Sequence, residues 1–142
     1  MRSGGWIDKH MLAMTGSEIS GKRLGILGMG RIGRAAATRA RAFGLEIHYH
    51  NRSRLAADWE AGAIWHKSAE SLLECSDFLS LHCPSNAESR NFLDERRIGL
   101  LPKGAIVINT ARGDVVDDAA LIAALESGRV QAAGLDVYRG EP

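Results

Sequence analysis

The chain has 142 residues, 45% hydrophobic and 25% charged, with a formal net charge of +1. That is the size and balance of a single globular domain with a sizeable core. The near-neutral charge gives no electrostatic case for nucleic acid or an anionic membrane, and no apolar run reaches the roughly 20 residues that span a bilayer.

The N-terminus, Met1-Arg2-Ser3-Gly4-Gly5, lacks an apolar signal core, so a cytoplasmic protein is expected. Residues 1–20 carry Trp6, Ile7, Met11, Leu12 and Met14, too apolar for a free tail and too short for a domain. They read as an arm that packs on something else, ahead of a domain over 21–142. A short apolar strand, Leu24-Gly25-Ile26-Leu27, runs into Gly28-x-Gly30-x-x-Gly33, and an Ala/Arg-rich helix over 31–43 follows until Gly44 stops it. A strand is expected at 45–50 and a short apolar piece at 63–65. Ser68 then N-caps a helix over 69–74. The next strand, 78–83, stops at Pro84, and 86–101 holds one or two short helices ended by Pro102 and Gly104. Residues 105–109 form a near-continuous apolar run, as for a parallel strand covered on both faces. Asp117 caps a helix over 118–127 that Gly128 terminates, and 130–138 is the last strand. This alternation implies an α/β fold, a doubly wound parallel sheet of the Rossmann type, incomplete at its C-terminus for want of a closing helix.

Gly-x-Gly-x-x-Gly is weak alone, but between a strand and a helix it means dinucleotide binding. Gly28 permits the sharp turn, Gly30 lets backbone approach a pyrophosphate, and Gly33 lets the helix pack on the sheet. The helix start at Arg31 and Ile32 offers free N–H groups to phosphate. The ligand of such a sheet lies at the carboxyl ends of its strands. There, Asn109-Thr110-Ala111-Arg112-Gly113 presents an Arg beside a turn, either a solvated side chain or a bidentate grip on a carboxylate. Asp136 interrupts an apolar strand end, which is costly unless the carboxylate is capped, paired or bound to a ligand. An acidic residue about 20 positions beyond the glycines binds the ribose hydroxyls in NAD enzymes. Here Asn51 stands 18 residues after Gly33, followed by Arg52, Ser53 and Arg54. The turn is either merely basic and exposed or holds a 2′-phosphate, and the latter favours NADP, with NAD as the alternative. His82, Cys83 and Pro84 end a strand on the same side. His48, His50, His66 and His82 show no metal-ligand spacing, so no metal is expected. Cys75 and Cys83 read as two reduced core thiols.

The segment Gly21–Gly33 resembles the cofactor-loop signature of the D-isomer-specific 2-hydroxyacid dehydrogenases. Leu79–Pro84, Leu101–Gly113 and Gly134–Pro142 are similar to further landmarks of that family, in order. The resemblance implies that Arg112 binds the substrate carboxylate and polarises its keto group. It implies that Glu141 pairs with the catalytic His and that Asp136 holds the nicotinamide carboxamide. Arg31 and Ile32 match positions whose backbone contacts the pyrophosphate, while Cys83, Pro84, Thr110 and Ala111 fall within landmarks that line the cofactor. The His-Asn-Arg-Ser turn resembles NADPH-preferring glyoxylate/hydroxypyruvate reductases. In the family the catalytic His lies beyond the position of Glu141, and the substrate domain is built mainly from residues ahead of the cofactor domain. The implied protein is a homodimeric reductase of a small 2-keto acid about twice this length, of which these residues bind cofactor but turn over nothing alone. A reading from another class, an NAD(H)-sensing corepressor-like interaction module, uses the same fold.

Overall fold

The computed structural model describes residues 16–140, so the apolar arm residues Trp6, Ile7, Met11, Leu12 and Met14, and Glu141, lie outside the described residues. The chain runs β1 (Arg23–Leu27), α1 (Arg31–Ala42), β2 (Glu46–His50), α2 (Ala57–Glu60), β3 (Ile64–Trp65), α3 (Ala69–Cys75), β4 (Phe78–Leu81), α4 (Glu95–Ile98), β5 (Ala105–Asn109), α5 (Asp118–Glu126) and β6 (Val130–Leu135). Every strand pairing is parallel, and the strands lie in the order β3-β2-β1-β4-β5-β6. The order runs outward from β1 in both directions, as right-handed crossovers on opposite faces require.

Two apolar clusters flank the sheet. Ala37 of α1 packs with Leu24, Ile26, Ile47 and Tyr49 on one face. On the other, α3, α4 and α5 contribute Leu72, Leu73, Ile98 and Leu121 against Leu27, Leu79, Leu81 and Val107. Side chains alternate along a strand, so residues paired across a parallel ladder share a face. This explains the glycine inside β1: Gly25 pairs with Leu79 on the α3 face, where a Cβ would overlap the side chain of Ser76.

Helix starts follow the caps expected from sequence. The Ser68 side chain accepts from the Ser71 N–H at 3.2 Å, and Asp117 accepts from the Ala120 N–H at 3.1 Å. Two short elements were not expected, and two strands end two or more residues earlier than expected. α2 is a single turn that lacks the length to show a periodic pattern. Residues 113–115 form a 3₁₀ turn. β4 ends at Leu81 because its partner β1 turns away at Gly28, and the His82 N–H bond to the Leu27 carbonyl is the last rung. β6 ends at Leu135, one residue before the Asp136 N–H bonds the Asn109 carbonyl. β5 is also not covered on both faces: Ala105, Val107 and Asn109 are buried, whereas Ile106 and Ile108 are only half-buried. The reason is placement, since α1 lies over β1 and β2 and no described helix covers β5 and β6 on that side.

Candidate functional site

One register row crosses the sheet at its carboxyl edge: His50 beside Leu27, Leu27 beside Leu81, Leu81 beside Asn109, and Asn109 beside Leu135. Gly28 and Gly30, Asn51 to Ser53, Cys83 and Pro84, Thr110 to Arg112, and Asp136 all follow that row within three residues. The parallel fold thus gathers residues from the whole chain onto one rim. A cleft of about 520 Å³ opens there among the ends of β1, β2 and β4. Gly28, Gly30, Asn51, Arg52, Ser53, Cys83 and Pro84 line it. Arg31, Ile32, Gly33, Thr110, Ala111, Arg112 and Asp136 do not line that cleft.

Gly28 has φ +92°, a left-handed conformation that L side chains rarely adopt, and a Cβ there would come within 2.8 Å of the Cys83 nitrogen. Gly33 lies against the loop it closes: its Cβ would meet the Gly28 carbonyl oxygen at 2.8 Å. Around Gly30, by contrast, a Cβ would meet nothing within 4 Å, which leaves open space beside the backbone. Gly30 caps α1 without a side-chain bond, and the first turn holds no acidic residue. Its leading N–H groups therefore face the rim with the positive end of the helix dipole. Arg31 and Ile32 are exposed there.

Asn51 is tied to this loop. Its Oδ1 accepts from the Met29 N–H at 2.7 Å, and its Nδ2 donates to the Met29 carbonyl at 3.5 Å. Asn51 is therefore more than a missing carboxylate: it is the brace between β2 and the glycine turn. Arg52 and Ser53 are exposed and, among the described residues, neither side chain makes a hydrogen bond or ion pair. Arg54 is committed elsewhere, to both oxygens of the buried Glu60 at 2.8 and 3.0 Å. Burial holds the His82 imidazole below its usual pKa, so it is neutral at pH 7, and its Nε2 lies 2.9 Å from the Ser80 hydroxyl. Burial raises the neighbouring Cys83 thiol, which stays protonated. Both cysteines are free and half-buried, Cys83 packing against the edge of the core.

The far wall was not foreseen. Asn86 Oδ1 accepts from the N–H groups of Glu88 and Ser89 at 2.9 and 3.0 Å, and Ser89 Oγ donates to the Pro84 carbonyl at 2.6 Å. These bonds fold 84–89 into a turn against the cleft, and the short helix expected within 86–101 is α4. The Ser85-Asn86 pair after Pro84 is a signal that could have found the turn.

At the other end of the rim, Asn109 Oδ1 accepts from the Ala111 N–H at 3.0 Å and its Nδ2 donates to the Arg112 carbonyl at 2.9 Å. That closes the turn carrying Arg112, whose exposed guanidinium donates to the Ala111 carbonyl at 2.7 Å. Thr110 is exposed and Ala111 buried beside it. Asp136 is exposed, because β6 is the edge strand. The burial cost that first singled it out is therefore not incurred.

A doubly wound sheet with a glycine turn, a free helix start and a cleft on its carboxyl rim leaves the family to be decided. Residues 1–142 match the NAD-binding domain of the D-isomer-specific 2-hydroxyacid dehydrogenases. The chain belongs to that family. It is 48% identical over 142 residues to 4-methyl-2-oxopentanoate reductase A of Aspergillus oryzae, covering 100% of this chain and 42% of the relative. It is 48% identical over 139 residues to a glyoxylate reductase of Aeropyrum pernix, covering 97% and 40% respectively. A crystal structure from Polaromonas sp. JS6 66, assigned to the D-isomer-specific 2-hydroxyacid dehydrogenases, superposes with a TM-score of 0.94 at 53% identity. That match covers 99% of this chain and 44% of the other. The 2-hydroxyacid dehydrogenase domain thus spans less than half the length of these proteins. A nicotinamide dinucleotide fits the residues present: the open space at Gly30 and the uncapped start of α1 suit a pyrophosphate, and the adjoining cleft suits a nucleoside. No helix among the described residues is long and apolar enough to cross a membrane.

Proposed function

We propose that this chain supplies the cofactor-binding part of a reductase that interconverts a small 2-keto acid, such as glyoxylate or hydroxypyruvate, and its 2-hydroxy acid, with NADP(H) preferred over NAD(H). The dinucleotide supplies the hydride when bound. The backbone of Arg31, Ile32 and Gly33 holds the pyrophosphate, with Gly28 and Gly30 shaping the loop. Cys83 and Pro84 line the adenosine end, Thr110 and Ala111 continue the rim toward the nicotinamide, and Asp136 would hold its carboxamide. Arg112 swings off the Ala111 carbonyl to grip the substrate carboxylate with its guanidinium fork. Glu141, outside the described residues, orients and raises the pKa of the histidine that gives the proton. The domain proper is 21–142, with 1–20 as an arm.

The cofactor preference rests on one observation. Arg52 and Ser53 stand exposed at the cleft, unpaired among the described residues, beside a neutral Asn51 where a carboxylate would repel a 2′-phosphate. Charge-assisted hydrogen bonds contribute about 1.5–3 kcal/mol each, which salt screening at an exposed rim reduces. A tenfold or greater preference for NADP follows. Calorimetric titration of both dinucleotides tests it: Asn51→Asp with Arg52→Ala reverses the order, and equal wild-type affinities would overturn the reading. A homodimer belongs to the same proposal, supported by exposed Ile122 and Leu125 one turn apart on α5. Light scattering that returns a monomer mass would count against it. The corepressor-like alternative is not favoured, since both relatives are named as reductases.

A further inference from the structure

Away from the cleft, on the face of the sheet beneath α3, three donor atoms converge. His48 Nδ1 and His66 Nε2 are 2.8 Å apart, and Cys75 Sγ lies 3.5 and 3.6 Å from them. They come from three elements: the middle of β2, the residue after β3, and the last residue of α3. His48 is buried and the other two are half-buried.

The remaining ring nitrogens have partners of their own. His48 Nε2 lies 2.8 Å from Glu46 Oε1, and a carboxylate only accepts, so that nitrogen carries the proton. His66 Nδ1 lies 3.2 Å from Ser71 Oγ, which also lies 3.0 Å from the Ser68 carbonyl; with the Ser71 hydrogen on that carbonyl, Nδ1 donates and Nε2 is left as a lone pair. In that tautomer both inward nitrogens present lone pairs and can bind a cation; in the other, His66 Nε2–H donates to His48 Nδ1, and a metal ion would displace that proton. Cys75 Sγ also lies 3.2 Å from the Leu72 carbonyl, which can take the thiol hydrogen while the sulfur faces the two imidazoles. Two imidazole nitrogens and a sulfur, all within 4.8 Å of one another, are the donor set of a borderline-soft cation. A tetrahedral ion bound at about 2.0–2.1 Å by nitrogen and about 2.3 Å by sulfur sets N···S near 3.5 Å and N···N near 3.4 Å. The two N···S edges already have that length, and the N···N edge must open by about half an ångström. The outer shell fits as well: Glu46 on His48 is the carboxylate–histidine arrangement that raises ligand basicity. The Arg23 guanidinium, whose charge acts on Cys75, is held by both oxygens of Asp77.

We propose that His48, His66 and Cys75 form a site for a zinc-class divalent cation, with water in the fourth position. Binding releases the thiol proton, and the resulting thiolate with the Glu46 carboxylate balances the ion's charge. The ion clamps β2, β3 and α3 together; His50, at the cleft end of β2, is joined to the same corner by its Nδ1, 2.9 Å from the His66 carbonyl oxygen. The proposal is independent of the cofactor reading.

The purified chain, stripped with chelator, is titrated with Co²⁺ and then Zn²⁺. One equivalent of Co²⁺ is expected to develop a thiolate-to-metal charge-transfer band that Zn²⁺ abolishes, and Zn²⁺ is expected to raise the melting temperature. Cys75→Ser and His66→Gln lose the band, Cys83→Ser keeps it, and Glu46→Gln weakens Zn²⁺ about 10- to 100-fold. Should a ligand variant fail to fold, wild-type protein decides by mass-mapped alkylation, with Zn²⁺ shielding Cys75 and not Cys83. No band in wild type, a band surviving in Cys75→Ser, or alkylation of Cys75 indifferent to Zn²⁺ overturns the site.

Discussion

Asn51 joins two tasks in one side chain. Its amide braces the glycine turn through Met29, while its neutrality leaves room for a phosphate beside Arg52. Asn51→Leu strands the N–H of Met29, a fully buried residue, and is expected to cost about 1–3 kcal/mol in urea unfolding. Asn51→Asp keeps the acceptor and should cost clearly less; equal losses would show that the brace is not what stabilises the turn. Gly113 is a second such residue. A Cβ there would overlap the backbone carbonyl of Tyr138, so the chain after β6 crosses directly over the turn that carries Arg112. Gly113→Ala is expected to destabilise by about 1–3 kcal/mol through overpacking, with faster proteolysis after residue 136. An unchanged digestion pattern would mean that the crossing yields without displacement.

Between elements, the amino ends of β1 and β4 are joined by one ion pair. The Arg23 guanidinium donates to both oxygens of Asp77 at 3.0 and 2.8 Å, and the Arg23 N–H donates to Asp77 Oδ2 at 2.9 Å. The Arg23 hydrogen bond, ahead of its charge, holds the Asp77 carboxyl below the usual carboxylate range. A depressed pKa contributes stability that is complete above the unfolded value, near pH 4, and is lost as the pH falls through the folded one. Since the Arg23 side chain is 40% exposed, the contribution is about 1 kcal/mol after screening. Asp77→Asn should therefore lower stability at pH 7 and narrow the wild-type advantage at pH 3, measured as urea midpoints. A gap that stays constant with pH would remove the ion pair from the account.

The whole molecule is packed unequally on its two faces. Leu79 is fully buried beneath α3, whereas Ile108 on the opposite face of β5 is half-buried. Leu79→Ala is expected to cost about 2–5 kcal/mol, and Ile108→Ala clearly less, in the same unfolding assay. Equal losses would contradict the one-sided core. This asymmetry is where the pattern of residues 105–109 misled: an unbroken apolar run states that a strand resists water, not which helix covers each side.

Local signals determined much of this protein by themselves. The strand–glycine–helix order, the Ser68 and Asp117 caps, and the apolar runs named most elements, because each depends on neighbours a few residues away. They also picked out the rim residues, since parallel topology sends every strand end to the same edge. Tertiary structure decided what depends on distant partners: that Asn51 grips Met29, that Asp136 sits exposed just past an edge strand, and that Asn86 and Ser89 wall the cleft. It alone brought His48, His66 and Cys75 together. Their spacings of 18 and 9 residues match no local ligand pattern, and only the pairing of β2 with β3 under α3 closes that distance.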